Sequence, residues 1–233
     1  MKFGQVAVDS GMVMVTSDAS LRLWRHGTQY NPERAVLDPV SGAVYRYMTH
    51  FARYDMAIYD GAKALYGGAS VNELLERKVL VEKPPRRRPA TYDFAGVCHA
   101  LEGRKFAAIH RGGKPVAVVS LSGLGDGLYE AYGSEVRGKI LVGVNFIKPS
   151  GPEKIIPAGN ILVEGEEGTY GTIVFIDPAY AESRDYPASA VYIVRTGTYP
   201  VFVVVGRKAG WGERVFQLVV QLPAGAGMAM GYE

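Results

Sequence analysis

The chain has 233 residues, 48% of them hydrophobic and 21% charged, a balance that suits one large or two small globular domains with a real core. Its formal net charge of +3 falls well short of the dense basic usage of proteins that coat nucleic acid. A single cysteine, Cys98, excludes an internal disulfide and a cysteine-rich zinc site.

No uninterrupted apolar stretch of about 18 residues is present, and MKFGQVAVDSGMVMV lacks the layout of a secretion signal. The expectation is a soluble, unprocessed protein with no membrane partner, cytoplasmic or carried in a virion. Asn and Gln occur four times each. That depletion of heat-labile amides leans towards a hyperthermophile, an archaeal cell or an archaeal virus, while the modest charge leans the other way.

In chain order, residues 3–17 alternate around Asp9-Ser10-Gly11 and read as two short strands joined by a turn. From Ser41 to Tyr66 the residues Val44, Tyr47, Met48, Phe51, Ile58, Ala62 and Leu65 fall at helical spacing, which predicts a long helix. Gly67-Gly68 ends it, and Ser70-x-x-Glu73 opens a short helix as a capping box. The three prolines of Lys83-Pro84-Pro85-Arg86-Arg87-Arg88-Pro89 exclude a helix or an inner strand and mark an exposed connector. From Tyr92 onward the pattern is β, with strands predicted at 94–101, 105–110, 115–122, 128–133, 139–147, 160–164, 170–176, 190–195, 198–205 and 214–222. The tail 223–233 reads as a loose terminus or as an arm that docks on another subunit.

An internal similarity runs through these strands. GMVMVTSDAS at 11–20 parallels GTIVFIDPAY at 171–180, and GLYEAYGSEV at 127–136 parallels GTYPVFVVVG at 197–206. Each of the second pair leads into a further β run, GKILVGVNF at 138–146 and ERVFQLVVQL at 213–222. The fold expected is mainly β, a sandwich or barrel-like structure of two related β units at 1–147 and 148–233. They share one core, and a helical insertion at about 25–90 interrupts the first.

VDSGMVMVTSD at 8–18, YDFAGVCHAL at 92–101 and AVVSLSGLGDGLYEAYGSEVRGKILVGVNF at 117–146 together resemble an uncharacterised family from bacterial and phage genomes. Its members begin with a strand carrying Asp-Ser-Gly and a later Asp-Pro. They then show a Ser-Gly-x-Gly-Asp-Gly-x-Tyr-x-x-Tyr signature. The likeness covers roughly 4–20 and 92–147. Ser17-Asp18-Ala19 stands where the family has Asp-Pro, whereas the rear half keeps Asp177-Pro178 but has Val194-Arg195-Thr196-Gly197 in place of Gly-Asp-Gly. The resemblance implies a small β fold and supplies no activity.

Asp126 lies between Gly125 and Gly127, and Asp-Gly between apolar segments predicts a hairpin turn. The alternative is an acid at work, either a hard-cation site built with Asp9 and Glu130 or a catalytic carboxylate pair of a hydrolase. Gly123, Gly125 and Gly127 are wrongly spaced for a dinucleotide loop, and Gly112-Gly113-Lys114 lacks the rest of a phosphate-binding loop. Cys98 and His99, as neighbours on a predicted strand, face opposite ways, which leaves His110 across the predicted turn at Glu102-Gly103 as a base for a Cys98 nucleophile. His26, His50, His99 and His110 show no zinc spacing, so neither a metal nor a cofactor is expected. Lys83, Arg86, Arg87 and Arg88 form a candidate phosphate or nucleic-acid contact. Tyr45, Tyr54, Tyr59 and Tyr66 form a candidate interaction surface on the predicted helix. The leading expectation is a non-enzymatic structural or interaction protein that forms homo-oligomers. A hydrolase or metal-dependent enzyme using Asp126 and Asp9, and a nucleic-acid-binding protein using the basic run 83–88, are the alternatives.

Overall fold

The computed structural model describes residues 1–27, 30, 34–83, 91–148, 152–165, 169–181, 189–208 and 210–228. In chain order the elements are β1 (Lys2–Val8), β2 (Met12–Ser17), α1 (Asp18–Leu21), β3 (Ala35–Leu37), β4 (Val44–Arg46), β5 (Tyr59–Asp60), β6 (Lys63–Ala64), α2 (Val71–Glu76), β7 (Val81–Lys83) and α3 (Phe94–Leu101). The strands β8 (Phe106–Arg111), β9 (Lys114–Leu121), β10 (Gly127–Val136), β11 (Lys139–Asn145), β12 (Glu153–Val163) and β13 (Tyr170–Ile176) follow. A 3-10 turn at Pro178–Tyr180 precedes β14 (Ala190–Arg195), β15 (Gly197–Lys208), β16 (Gly212–Pro223) and β17 (Gly227–Met228). Residues 1–30 with 88–233 make one compact unit, and residues 31–87 make a second.

The larger unit is an antiparallel sandwich, not a barrel. Its first sheet has the order β1-β10-β11-β16-β15-β12 and its second the order β17-β14-β13-β2-β9-β8. Between the sheets lies the main core, with Val6, Val13, Val142, Phe175, Phe216 and Leu218 wholly covered. A second core sits on the other face of the second sheet, where Met14, Val119 and Ile176 meet Val97 and Leu101 of α3 and the indole of Trp24. The second sheet is therefore the middle layer of three. Its central strands are buried on both faces, which is why they read as unbroken runs such as MVMV and IVFI; β10 and β15 alternate instead.

The order of the first sheet reads the same from either edge if β1, β10 and β11 are matched to β12, β15 and β16. The partners at its centre, β11 and β16, cross antiparallel, with Val142 opposite Val220 and Val144 opposite Leu218. In the second sheet the similar runs β2 and β13 also pair antiparallel at the centre. The likeness reaches single atoms. Gly127 and Gly197 share φ 156°, Tyr129 and Tyr199 fold back over them, and each hydroxyl donates to the carbonyl four residues earlier, at Gly125 (2.8 Å) and Arg195 (2.5 Å).

Three expectations are corrected here. Residues 94–101 are the helix α3, capped by Asp93, whose carboxylate accepts from the Gly96 N–H (2.7 Å); a short apolar run looks alike as buried strand or buried helix. Asp126-Gly127 is not a hairpin turn, because β9 and β10 lie in different sheets and the loop between them crosses from one to the other. The long helix over 41–66 is absent: β4, β5 and β6 stand there, after a turn closed by Asp38, which accepts from the Val40 N–H, and with a turn at Gly61 joining β5 to β6. Tyr45, Tyr47, Phe51, Tyr54 and Tyr59 favour strands over helix, which outweighs the accidental helical spacing. The insertion is thus mostly short strands around a small core of Val36, Phe51, Ile58, Val71, Leu74 and Leu80. The other helix expected there, α2, forms with both halves of the Ser70–Glu73 capping box.

Among the described residues no helix is long and apolar enough to cross a membrane. The start of the tail belongs to the chain's own fold: β17 pairs with β14, and Ala226 is buried, its carbonyl accepting from the Arg195 N–H at 2.8 Å.

Candidate functional site

Two crossings between the sheets meet beside β13, and of the residues flagged in the sequence Asp9 and Asp126 lie on them. β1 lies in the first sheet and β2 in the second, so Asp9-Ser10-Gly11 carries the chain across the core. The β9–β10 loop crosses next to it, with the Ser122 N–H donating to the Gly11 carbonyl at 2.9 Å. Asp177, at the end of β13, holds both in place through the first crossing. Wholly buried, it accepts from the N–H groups of Asp9 (2.7 Å), Ser10 (2.8 Å) and Ala179 (2.7 Å), and from the Ser10 hydroxyl (2.6 Å). Such saturation of a carboxylate satisfies a buried charge and leaves no lone pair aimed at a ligand.

The predicted acids are placed differently. Asp126 is exposed, and its carboxylate makes no hydrogen bond or ion pair. Asp9 is exposed and accepts from the hydroxyl of Tyr180. Glu130 pairs with Lys2 at 2.8 Å on the surface. Among the described residues no three His, Cys, Asp or Glu side chains come together as a metal site.

Cys98 sits half-buried on α3, so it and His99 are helix neighbours instead of opposite faces of a strand. His99 Nδ1 lies 2.9 Å from Glu102, while His110 is exposed on β8. Burial pushes the Cys98 thiol up to about 11, and the carboxylates of Asp177 and Glu102 add to it. A thiol in that state is a poor nucleophile at neutral pH. Alkylation by iodoacetamide at neutral pH is expected to run about 100-fold slower in the native than in the urea-unfolded chain, in line with the thiolate fraction. Because the folded value is raised, this group's contribution to stability is complete below its unfolded value near 9. It is lost as pH rises through about 11, a slope that Cys98→Ala should remove. Equal alkylation rates in the two states would refute the assignment.

In the smaller unit the Tyr45, Tyr54 and Tyr66 rings pack against its own core, and Tyr59 is the most open at 41% exposure. The Tyr66 hydroxyl donates to Asp38 (2.9 Å), which leaves its oxygen to accept from the Tyr45 hydroxyl (3.0 Å). Hydrogen bonds from the Ser41 side chain, from the Val40 and Ser41 N–H groups and from Tyr66 hold the Asp38 carboxyl down at about 2. Lys83 is exposed at the end of β7; Arg86, Arg87 and Arg88 lie outside the described residues.

Two features went unread in the sequence. Asp177 was noticed only as half of an Asp-Pro pair, though a lone acid closing an apolar run, IVFI-D, is a signal of a buried cap. GRKAGWGER at 206–214 places a tryptophan between glycines and cations, a pattern of an exposed tip. No protein-family model, curated protein or solved structure matches the chain.

Proposed function

We propose that this protein is a non-enzymatic interaction module that self-associates through the outer face of its first sheet. One observation carries the reading: that face is apolar where an antiparallel sheet normally turns charge to water. Strand register sets Tyr132, Gly143, Val219, Phe202 and Pro157 in one outward row, and Asn145, Gln217, Val204 and Ile155 in the next. No ionised group stands in either stretch, the rows ending at Lys2, opposite Tyr132, and at Glu130, opposite Asn145; Ile155 is 70% exposed, while Val219 and Val204 are covered by their neighbours. The first sheet's order reads alike from both edges, so its face is nearly two-fold itself, the form a second copy related by a dyad would match.

The same palindrome and the twin Tyr129 and Tyr199 support descent of the halves from a tandem copy. The likeness of 4–20 and 92–147 to the bacterial and phage family belongs to this proposal, as does a cytoplasmic or virion setting in a heat-adapted archaeal host. The commitments of Asp177, Asp9 and Cys98 to internal contacts support binding ahead of catalysis. In light scattering at micromolar concentration the chain is expected at twice its mass or more. Ile155→Asn, at the most open position of the face, should return it to a monomer with unchanged circular dichroism. A monomeric wild type sinks the reading.

A further inference from the structure

β15 and β16 run on together past their neighbours: β12 stops pairing at Gly206 and β11 starts at Gln217. The tip holds Trp211 between Gly210 and Gly212, whose φ values of 75° and 70° are left-handed and open to glycine at little cost. This indole is 51% exposed. Lys208 Nζ lies 5.4 Å and Arg214 Cζ 5.9 Å from its ring centre. Lys105, Lys154 and Arg207 complete the basic surroundings, and all three act on Glu213, holding its carboxyl below the usual range; the hydrogen bond from Lys105 is the largest influence. Glu213 is already paired with Lys105 at 2.6 Å, and Glu153, opposite Gly206, is the other acid nearby. Two cations thus flank an exposed aromatic ring, and three more stand around Glu213, against two carboxylates, one of them paired with Lys105.

Beside the hairpin base opens a cavity of about 200 Å³ whose charged lining is Lys105, Arg214 and Glu213, the last paired with Lys105, among glycines and the apolar Leu121 and Val215. It is smaller than the roughly 300–1,000 Å³ of small-molecule sites and fits a phosphate-sized group. Arg214 Nε is buried without a hydrogen-bond partner, a donor that still lacks its acceptor.

We propose that the β15–β16 tip binds single-stranded nucleic acid, with a base stacked on Trp211 and a backbone phosphate in the adjoining cavity at Arg214 and Lys105. Stacking platforms flanked by cations bind single strands in this way with little sequence preference. The surface is separate from the outer sheet face proposed for self-association, and the two fail independently.

The test is fluorescence anisotropy of labelled oligo(dT) and oligo(U) with the full chain at low salt, beside a duplex, inorganic phosphate and poly-glutamate as competitors. Binding to one or both single strands, weakening with salt, is expected; the better of the two identifies DNA or RNA as the ligand. Trp211→Ala should weaken it about tenfold or more, and Arg207→Gln with Lys208→Gln should lower the salt slope by about two. Ile155→Asn should leave affinity unchanged while altering size. The proposal is overturned by no binding at low salt, by equal affinity for duplex or poly-glutamate, or by a folded Trp211→Ala that binds as wild type. Displacement by millimolar phosphate with no effect of Trp211→Ala marks an anion pocket alone and also overturns it.

Discussion

Asp177→Ala should lower the unfolding free energy by about 3–5 kcal/mol. Removing the carboxylate strands the N–H groups of Asp9, Ser10 and Ala179 and the Ser10 hydroxyl in a place where Asp177 itself is wholly covered. Each unpaired buried donor carries a desolvation penalty, and water has to enter the crossing to relieve it. Asp177→Asn is a demanding comparison: two donors face each oxygen, so either orientation of the amide sets its NH₂ against donors. It should cost more than half as much as alanine. Ser10→Ala removes only one of the four bonds and should cost about 0.5–1.5 kcal/mol. Urea titrations at neutral pH rank the three. A loss below about 1 kcal/mol for Asp177→Ala would show that the clamp is dispensable.

Gly123→Ala is expected to cost about 3 kcal/mol or more, while Gly125→Ala, two residues on in the same loop, should cost about 1–2 kcal/mol. Both glycines have left-handed backbone, φ 73° and 93°. Their surroundings separate them. A methyl group at Gly123 would lie 2.1 Å from the Val215 carbonyl oxygen, whereas nothing stands within 4 Å of one at Gly125. A backbone carbonyl cannot swing aside like a side chain, so Gly123→Ala has to shift the base of the β15–β16 hairpin. Midpoints in urea give the difference directly. Equal costs would mean that the loop relaxes freely and that the crossing is not tightly seated.

The residue pattern was legible wherever a strand met the same environment along its length. β8 to β11 and β13 to β16 stand where alternation or unbroken apolar runs place them, and Ser70-x-x-Glu73 capped its helix because that bond is local. Reading failed where the deciding contact came from elsewhere in the chain. FAGVCHAL became α3 because one face of it covers the second sheet and Asp93 caps its start. The aromatic stretch 41–66 broke into short strands around a core that its spacing did not disclose. The site was legible only in part: Asp126 stood out by its glycines, yet Asp177 and Trp211 hold the positions that matter to packing and to the exposed tip.

By itself, then, the chain's order of residue types determined a mainly β protein, since side-chain alternation and turn residues act over a few positions. Only the folded molecule decided that β1 and β2, and likewise β9 and β10, part company into different sheets. That choice rests on which apolar faces cover one another and on a buried acid that meets its donors some 168 positions away in the chain, and neither relation has a local signature.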